Sequence, residues 1–165
     1  MFKAFIITAS DKGSIGERVD KSGEVIREIL EKNGYSVLGK KILPDDRTTL
    51  SSEMKALADS DDIDLILTTG GTGFSMRDWT PEATLDIVDR VVPGIPEAMR
   101  AYSMTITKKG MLSRSVAGIR GKCLIINLPG SPKAVKEILE YIIDPLEHGL
   151  EILIGSASEC GSDVD

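Results

Sequence analysis

The apolar residues of this chain fall into two alternating patterns. Short uninterrupted apolar runs predict buried strands, and "DLILTT" (64–69) is the clearest, because parallel strands covered on both faces carry apolar residues at successive positions. The other strands predicted in this way are "KAFIITAS" (3–10), "YSVLGKKIL" (35–43) and "KCLIINL" (122–128). Between these runs, apolar residues recur every three or four positions, which is the spacing of one helix face.

Capping residues, glycine and proline mark the helix boundaries. Residues 22–33 predict a helix that ends at Gly34. A second helical stripe is formed by Leu50, Met54, Leu57 and Ala58. Proline in the first turn predicts helix starts at Thr80-Pro81, near Pro96, at Ser131-Pro132 and at Asp144-Pro145. Apart from the helix near Pro96, residues 91–121 have no clear period.

This alternation of strands and helices predicts an α/β fold of three layers, in which a mostly parallel sheet carries helices on both faces. Ligands bind such sheets beyond the carboxyl ends of the strands. Loops rich in Gly, Ser and Asp follow the predicted strands, at 10–23, 44–46, 70–78 and 129–132. We therefore expect four unusual loops to meet at one edge of the sheet.

Length and charge narrow the class of protein. At 165 residues a single domain is expected, and we assign residues 1–155 to it and residues 156–165 to a flexible acidic tail. A net charge of −6, a pI near 4.9 and 4% aromatic residues argue against nucleic acid as a partner. No membrane span, signal peptide or disulfide framework is predicted, so we expect a cytoplasmic protein.

The cluster of Gly70, Gly71 and Gly73 follows the third predicted strand. Glycine lets backbone N–H groups turn toward an anion, and helix starts such as those at Thr80 and Ser131 favour phosphate. Tight turns and ordinary caps explain the same residues in any one loop, but several such loops together favour phosphate binding. The dinucleotide fingerprint and the P-loop are both absent, since "GTGFSM" lacks a third glycine and "GYSVLGKK" lies inside a predicted strand.

Two aspartates, Asp45 and Asp78, each lie between a predicted strand and a helix. Such a pair could hold Mg²⁺, which takes oxygen ligands and shares them with substrate phosphates. The alternative is an Asx-turn or a helix cap, which is equally compatible with the position of Asp45, while Arg77 beside Asp78 favours function there. The single histidine, His148, lies mid-helix, which argues against Ser-His catalysis and favours phosphoryl or nucleotidyl transfer.

Five stretches together resemble the molybdopterin adenylyltransferase family, the Mog and MoaB-like proteins whose fold recurs in gephyrin-type fusions. They are "SDKGSIGERVDKSG" (10–23), "LPDD" (43–46), "TTGGTGFSMRDWTPEA" (68–83), "PGIPEAMR" (93–100) and "MLSRSVAGIRGKCLIINLPGSPKAV" (111–135). They extend from the first strand to the last in the family's order. Trp79 and Ser131 depart from the family's usual residues, but neither departure removes a charge.

The resemblance implies an Mg²⁺-dependent reaction in molybdenum cofactor biosynthesis. The terminal phosphate of molybdopterin attacks the α-phosphate of ATP, which yields adenylylated molybdopterin and pyrophosphate. A homotrimer is also implied, as is transfer of the product to a molybdate-inserting enzyme. The alternative is a member of the same fold that binds pterin or acts as a scaffold without catalysis, and the intact pair of aspartates favours the enzyme.

The resemblance also implies the residues of the site. Asp45 and Asp78 match the family's two functional aspartates and would serve catalysis and Mg²⁺, with Arg77 orienting Asp78 or balancing charge. The nucleotide- and pterin-binding residues would be Ser10, Asp11, Thr69, Gly70, Gly71, Thr72, Gly73, Ser113, Pro129, Gly130 and Ser131.

Overall fold

A computed structural model describes residues 1–155 and contains a six-stranded sheet. The strands are β1 (Lys3–Ala9), β2 (Ser36–Leu43), β3 (Leu65–Thr69), β4 (Arg90–Val91), β5 (Ala117–Arg120) and β6 (Cys123–Leu128). Their order across the sheet is β2-β1-β3-β6-β5-β4. The pairs β1–β2, β1–β3 and β3–β6 are parallel, whereas β5–β6 and β4–β5 are antiparallel, so the predicted sheet is mostly parallel with an antiparallel edge.

The helices alternate with the parallel strands as predicted. They are α1 (Asp11–Ser14), α2 (Lys21–Lys32), α3 (Arg47–Ala58), α4 (Thr80–Leu85), α5 (Gly94–Ile106) and α6 (Pro132–Leu153), with a 3₁₀ helix at Lys108–Leu112. Gly34 follows α2 with a φ of +81°, a left-handed conformation that suits glycine and ends the helix where the sequence indicates.

Two apolar clusters lie on opposite faces of the sheet, which confirms the three layers. The larger cluster contains Ile6 of β1 and the buried faces of α2 and α6, with Met99 from α5. The smaller cluster contains Ile7 of β1, Leu50 and Met54 of α3 and Ala83 of α4. Ile6 and Ile7 are both fully buried, as expected for neighbouring residues of a parallel strand whose two faces are covered.

The antiparallel edge formed by β4 and β5 was not predicted. β4 has only two residues, and both of them are exposed. Such a strand has no apolar run and no alternation, because its backbone pairing with β5 is its only structural role. The helix expected near Pro96 is α5, which begins two residues earlier at Gly94.

The helix start predicted at Asp144-Pro145 is wrong, because α6 continues through Pro145 to Leu153. Proline has no N–H to donate to the carbonyl one turn earlier and normally ends or kinks a helix. The apolar face of α6 is buried on both sides of Pro145, at Ile138, Ile142, Leu146 and Leu150. Continuous packing of this face on the larger cluster outweighs the lost hydrogen bond.

No helix in residues 1–155 has the length and apolar character needed to cross a membrane. The predicted acidic tail, residues 156–165, lies outside the described residues.

Candidate active site

The loops after β1, β2, β3 and β6 meet at one edge of the sheet, as the sequence predicts. Strand register requires this, because Ala9 pairs with Leu43 and Thr8 with Thr69. Thr69 in turn pairs with Leu128, the last residue of β6. A cavity of about 750 Å³ lies at this edge. The predicted site residues that line it are Ser10, Asp45, Thr69, Gly70, Gly71, Asp78 and Gly130.

Gly70 and Gly71 form the floor of the cavity in a conformation that requires glycine. Their φ values are +90° and +67°, in the left-handed region. A Cβ on Gly70 would overlap the carbonyl oxygen of Ala9, and one on Gly71 would overlap Thr80 Oγ1. Thr80 fixes the turn, since its Oγ1 donates to Gly70 O at 2.9 Å and its N–H donates to Gly71 O at 3.1 Å.

Asp45 is not the cap of α3, so the capping alternative for this residue is wrong. Asp46 is the N-cap, and its Oδ2 accepts from the N–H of Thr49 at 2.8 Å. Asp45 instead exchanges two hydrogen bonds with Asp11: Asp11 N donates to Asp45 Oδ2, and Asp45 N donates to Asp11 Oδ1, both at 2.9 Å. The Asp45 carboxylate is thereby held at the cavity.

The electrostatic states of the two linked aspartates differ. Burial raises the pKa of Asp45, and the negative charges of Asp11 and Asp78 raise it further. Asp11 has a lowered pKa because the Arg77 guanidinium donates to both of its carboxylate oxygens, at 2.9 and 3.0 Å. Arg77 therefore pairs with Asp11 and not with Asp78, which corrects the expectation that it orients Asp78.

Asp78 lies on the cavity and also closes its own turn. Its Oδ2 accepts from the N–H of Ser75 at 2.9 Å, and its N–H donates to Ser75 O at 3.0 Å. Asp78 therefore forms the turn that the sequence offered as an alternative, and it also lines the cavity, so the two interpretations are compatible. Asp45 and Asp78 both line the first cavity, and the negative charge of Asp78 contributes to the raised pKa of Asp45.

The other predicted site residues lie elsewhere. Thr72, Gly73, Ser113 and Pro129 line a second cavity of about 290 Å³, between α5, the 3₁₀ helix and the start of α6. The guanidinium of Arg100 lies there and donates to the carbonyls of Ser113 and Ser115, at 3.3 and 2.9 Å. Ser131 caps α6 and lines neither cavity, and Asp11 contacts the first cavity through Asp45.

The segment 17–22, which leads into α2, also lines the first cavity and was not predicted residue by residue. It brings the cations Arg18 and Lys21 to the cavity. Asp20 anchors the segment, since its carboxylate accepts from Thr8 Oγ1 at 3.0 Å and pairs with Lys40 at 3.1 Å. Ser22 Oγ donates to Gly130 O at 2.6 Å, which joins the first loop to the last. The signal in the sequence that could have predicted this part of the site is the presence of Arg18 and Lys21 in the loop between a predicted strand and a helix.

A divalent cation at this site would need ligands from a substrate. Within residues 1–155, no group of three or more His, Cys, Asp or Glu side chains could hold a metal ion. Asp45 and Asp78 each have one carboxylate oxygen engaged by a backbone N–H. Two carboxylates completed by substrate phosphates and water are the donor set that Mg²⁺ prefers, so these residues fit the ion.

The fold and the cavity define the class of protein: a three-layer α/β protein with a cavity at the carboxyl edge of its sheet, lined by a glycine turn and two aspartates. The chain belongs to the family described as a probable molybdopterin binding domain, which matches residues 5–148. This confirms the family that the motifs indicate.

Named relatives cover most of the chain. It is 38% identical to the molybdopterin adenylyltransferase of Helicobacter pylori (strain J99) over 153 residues, which are 92% of this chain and 87% of the relative. It is 39% identical to the molybdopterin adenylyltransferase of Escherichia coli (strain K12) over 141 residues, which are 84% of this chain and 72% of the relative.

Solved structures share the fold. The molybdopterin biosynthesis enzyme MoaB of Thermus thermophilus has a TM-score of 0.89 and 45% identity, over 94% of this chain and 98% of that one. The tungsten cofactor synthesizing protein MoaB of Pyrococcus furiosus has a TM-score of 0.83 and 38% identity, over 92% of this chain and 96% of that one.

Proposed function

We propose that this chain is a molybdopterin adenylyltransferase of molybdenum cofactor biosynthesis. It transfers AMP from ATP to the terminal phosphate of molybdopterin, which gives adenylylated molybdopterin and pyrophosphate. The observation that carries the proposal is the meeting of four loops around one cavity, with Asp45 and Asp78 both on its wall, in a chain of this family.

The glycine turn and the cations Arg18 and Lys21 bind the phosphates of ATP. The left-handed conformations of Gly70 and Gly71 keep side chains away from the floor of the cavity, so phosphate oxygens can approach the backbone. Arg18 and Lys21 bring positive charge to the same cavity, which offsets the charge of the polyphosphate. These groups position the reactants, and positioning with charge neutralisation supplies most of the catalysis in such transfers.

Asp45 and Asp78 would hold Mg²⁺, and the ion would take its remaining oxygen ligands from the substrate phosphates and water. When bound, the ion neutralises charge on the reacting phosphate and on the pyrophosphate that leaves. Asp45 is kept in place by its exchange of hydrogen bonds with Asp11, and the Asp78 carboxylate is oriented by the N–H of Ser75 in its own turn. The raised pKa of Asp45, caused first by burial and then by the negative charges of Asp11 and Asp78, is consistent with a site that gains stability when a cation enters.

The proposal extends to assembly and to the fate of the product. We expect a homotrimer that passes adenylylated molybdopterin to a molybdate-inserting enzyme, with ATP, molybdopterin and Mg²⁺ as the small molecules it requires. Light scattering of the purified protein at micromolar concentration tests the assembly, and about three chains per particle is the expected result. A monomer at that concentration would contradict the trimer and leave the transferase proposal standing.

Pyrophosphate release tests the reaction directly. Purified protein is incubated with ATP, Mg²⁺ and molybdopterin, and pyrophosphate and the adenylylated product are measured together. We expect both in equal amounts, with none when molybdopterin is omitted or when EDTA removes the metal. Binding of molybdopterin without any pyrophosphate release would refute the enzyme and support the non-catalytic alternative.

A further inference from the structure

The loop that carries Asp78, residues 73–78, projects from the protein and has few apolar contacts of its own. Phe74 is 71% exposed and Met76 is 89% exposed. Inside the loop, Ser75 and Asp78 exchange hydrogen bonds, which close the turn but do not attach it to the rest of the fold. The Arg77 guanidinium ties this loop to Asp11, but the two ends of the loop, at Gly73 and Asp78, need a further attachment if Asp78 is to stay at the cavity.

Arg114 makes that attachment. It follows Ser113 in the segment between the 3₁₀ helix and β5, and its Nε donates to Gly73 O at 2.7 Å while its Nη2 donates to Asp78 O at 2.8 Å. Its backbone N–H donates to Thr72 O at 2.9 Å. One residue therefore binds the carbonyl groups at both ends of the loop and the carbonyl group just before it.

The Arg114 side chain is itself held by Glu82. Nη1 of Arg114 pairs with Glu82 Oε1, and Glu82 lies in the first turn of α4, the helix that begins directly after Asp78 and Trp79. Both side chains are about two-thirds buried, with exposures of 33% and 29%. A planar guanidinium with five N–H donors in fixed directions can satisfy this set of acceptors at once, and an ammonium group cannot.

We propose that Arg114 is a positioning residue for the reaction, which acts by holding the Asp78 carboxylate at the cavity. Arg114 lines neither cavity, so its effect passes through the loop and not through direct contact with ATP or molybdopterin. This assignment rests on the proposed transferase function. Neither the family resemblance nor the glycine and aspartate motifs indicated it.

Two substitutions and a matched control test the assignment. Arg114→Met removes all the side-chain donors, and Arg114→Lys keeps the charge with a single donor group. The control is Arg120→Met, because Arg120 also pairs with a carboxylate, that of Asp59, and donates to a backbone carbonyl, that of Ile87, away from the cavity. We expect kcat to fall on the order of 10²-fold in R114M, as misplacement of a reacting group by about 1 Å can do, with a smaller fall in R114K.

R120M should lower the Tm and leave the kcat of the folded protein unchanged. If R114M behaves like R120M, with a lower Tm and normal kcat, Arg114 supports stability alone and the proposal is refuted.

A double-mutant cycle with Asp78→Asn determines whether Arg114 acts through Asp78. If it does, R114M adds little to the loss already caused by D78N, because the group it positions no longer acts. Losses that multiply in the double variant would overturn the proposal, because they would mean that Arg114 acts independently of Asp78.

Fluorescence of Trp79 gives a test that does not depend on catalysis. Trp79 is the one tryptophan of the chain, it follows Asp78, and it is 37% exposed. Quenching by acrylamide should increase in R114M and stay at the wild-type level in R120M. If wild-type protein has no transferase activity but the quenching result holds, the proposed function fails and the attachment of the loop stands. Unchanged quenching in R114M would refute the attachment.

Discussion

The two carboxylates at the cavity are held in different ways. Asp45 is partly buried and linked to a second loop by a symmetric exchange of hydrogen bonds with Asp11. Asp78 lies in an exposed loop whose turn is closed locally by Ser75 and whose ends are bound by Arg114. The first carboxylate depends on a neighbouring loop at the sheet edge. The second lies in a loop that Arg77 ties to Asp11 and that Arg114 binds at both ends from the antiparallel side of the sheet.

The two aspartates that hold each other in place, Asp45 and Asp11, also differ in the free energy of ionising their carboxyl groups. Burial and nearby negative charge raise the pKa of Asp45, so ionisation of this carboxyl costs more free energy in the folded protein than in water. Arg77 lowers the pKa of the neighbouring Asp11, and the backbone N–H of Asp11 donates to the Asp45 carboxylate. Two linked carboxylates therefore have pKa values shifted in opposite directions.

The largest expected effect comes from neutralising either carboxylate at the cavity. Asp45→Asn and Asp78→Asn keep shape and hydrogen-bonding reach but remove charge, so each should lower kcat by about 10²-fold or more with normal folding. Adenylyl transfer at saturating ATP, paired with a melting curve, measures this. Asp46→Asn is the control, because Asn also caps helices well and Asp46 points to Thr49. Full activity in both D45N and D78N would remove the catalytic assignment.

A glycine substitution in the floor of the cavity should be next in size. Gly71→Ala forces an alanine into a φ of +67° and against Thr80 Oγ1, so we expect a loss of about 1–3 kcal/mol of stability together with a loss of activity. Gly34→Ala is the matched control, since Gly34 has a φ of +81° and nothing within 4 Å of an added Cβ. It should cost about 1 kcal/mol and leave the rate unchanged. Equal kinetic effects of the two substitutions would show that the floor has no special role.

Opposite pKa shifts predict opposite stability changes for the two linked aspartates. The raised pKa of Asp45 means that ionisation costs the folded state stability, a cost that is fully present above that pKa and disappears as the pH falls through it. The lowered pKa of Asp11 contributes stability that is present above its ordinary value of 3.8 and is lost as the pH falls through the folded pKa. At pH 7, D45N should therefore match or exceed the wild-type Tm, and D11N should fall below it by a few degrees at most.

Melting curves between pH 3 and pH 8 check this pair of substitutions. A marked fall in the Tm of D45N at pH 7 would mean that the Asp45 charge stabilises the fold, contrary to the direction of its pKa shift.

The smallest effect is expected from the acidic tail. Residues 158–165 carry small and acidic side chains with little apolar surface to bury, so their deletion should leave both Tm and activity nearly unchanged. A large loss of activity in the deleted protein would mean that the tail takes part in the site.

The secondary structure predicted from the sequence agrees with the structure wherever interactions between residues close in the chain determine it. Strand runs, caps and helix faces depend on residues a few positions apart, and they place β1, β2, β3 and β6 and most helices correctly. They also place the glycine turn and both aspartates at the same edge, because the carboxyl ends of parallel strands meet there. Pro145 marks the limit of these rules, since burial of the whole apolar face of α6 overrides a local stop signal.

By itself, the sequence determined the layered fold, the family and the edge of the sheet that carries the site. Only the tertiary structure decided that Asp46 caps α3 and Asp45 does not, that Arg77 pairs with Asp11, and that Ser113 belongs to a second cavity. Arg114 could not be predicted, because its partners Gly73 and Asp78 are backbone carbonyls 41 and 36 residues away. Every residue has a carbonyl group, so the choice of these two depends on how the strands and helices pack and leaves no signal in the local sequence.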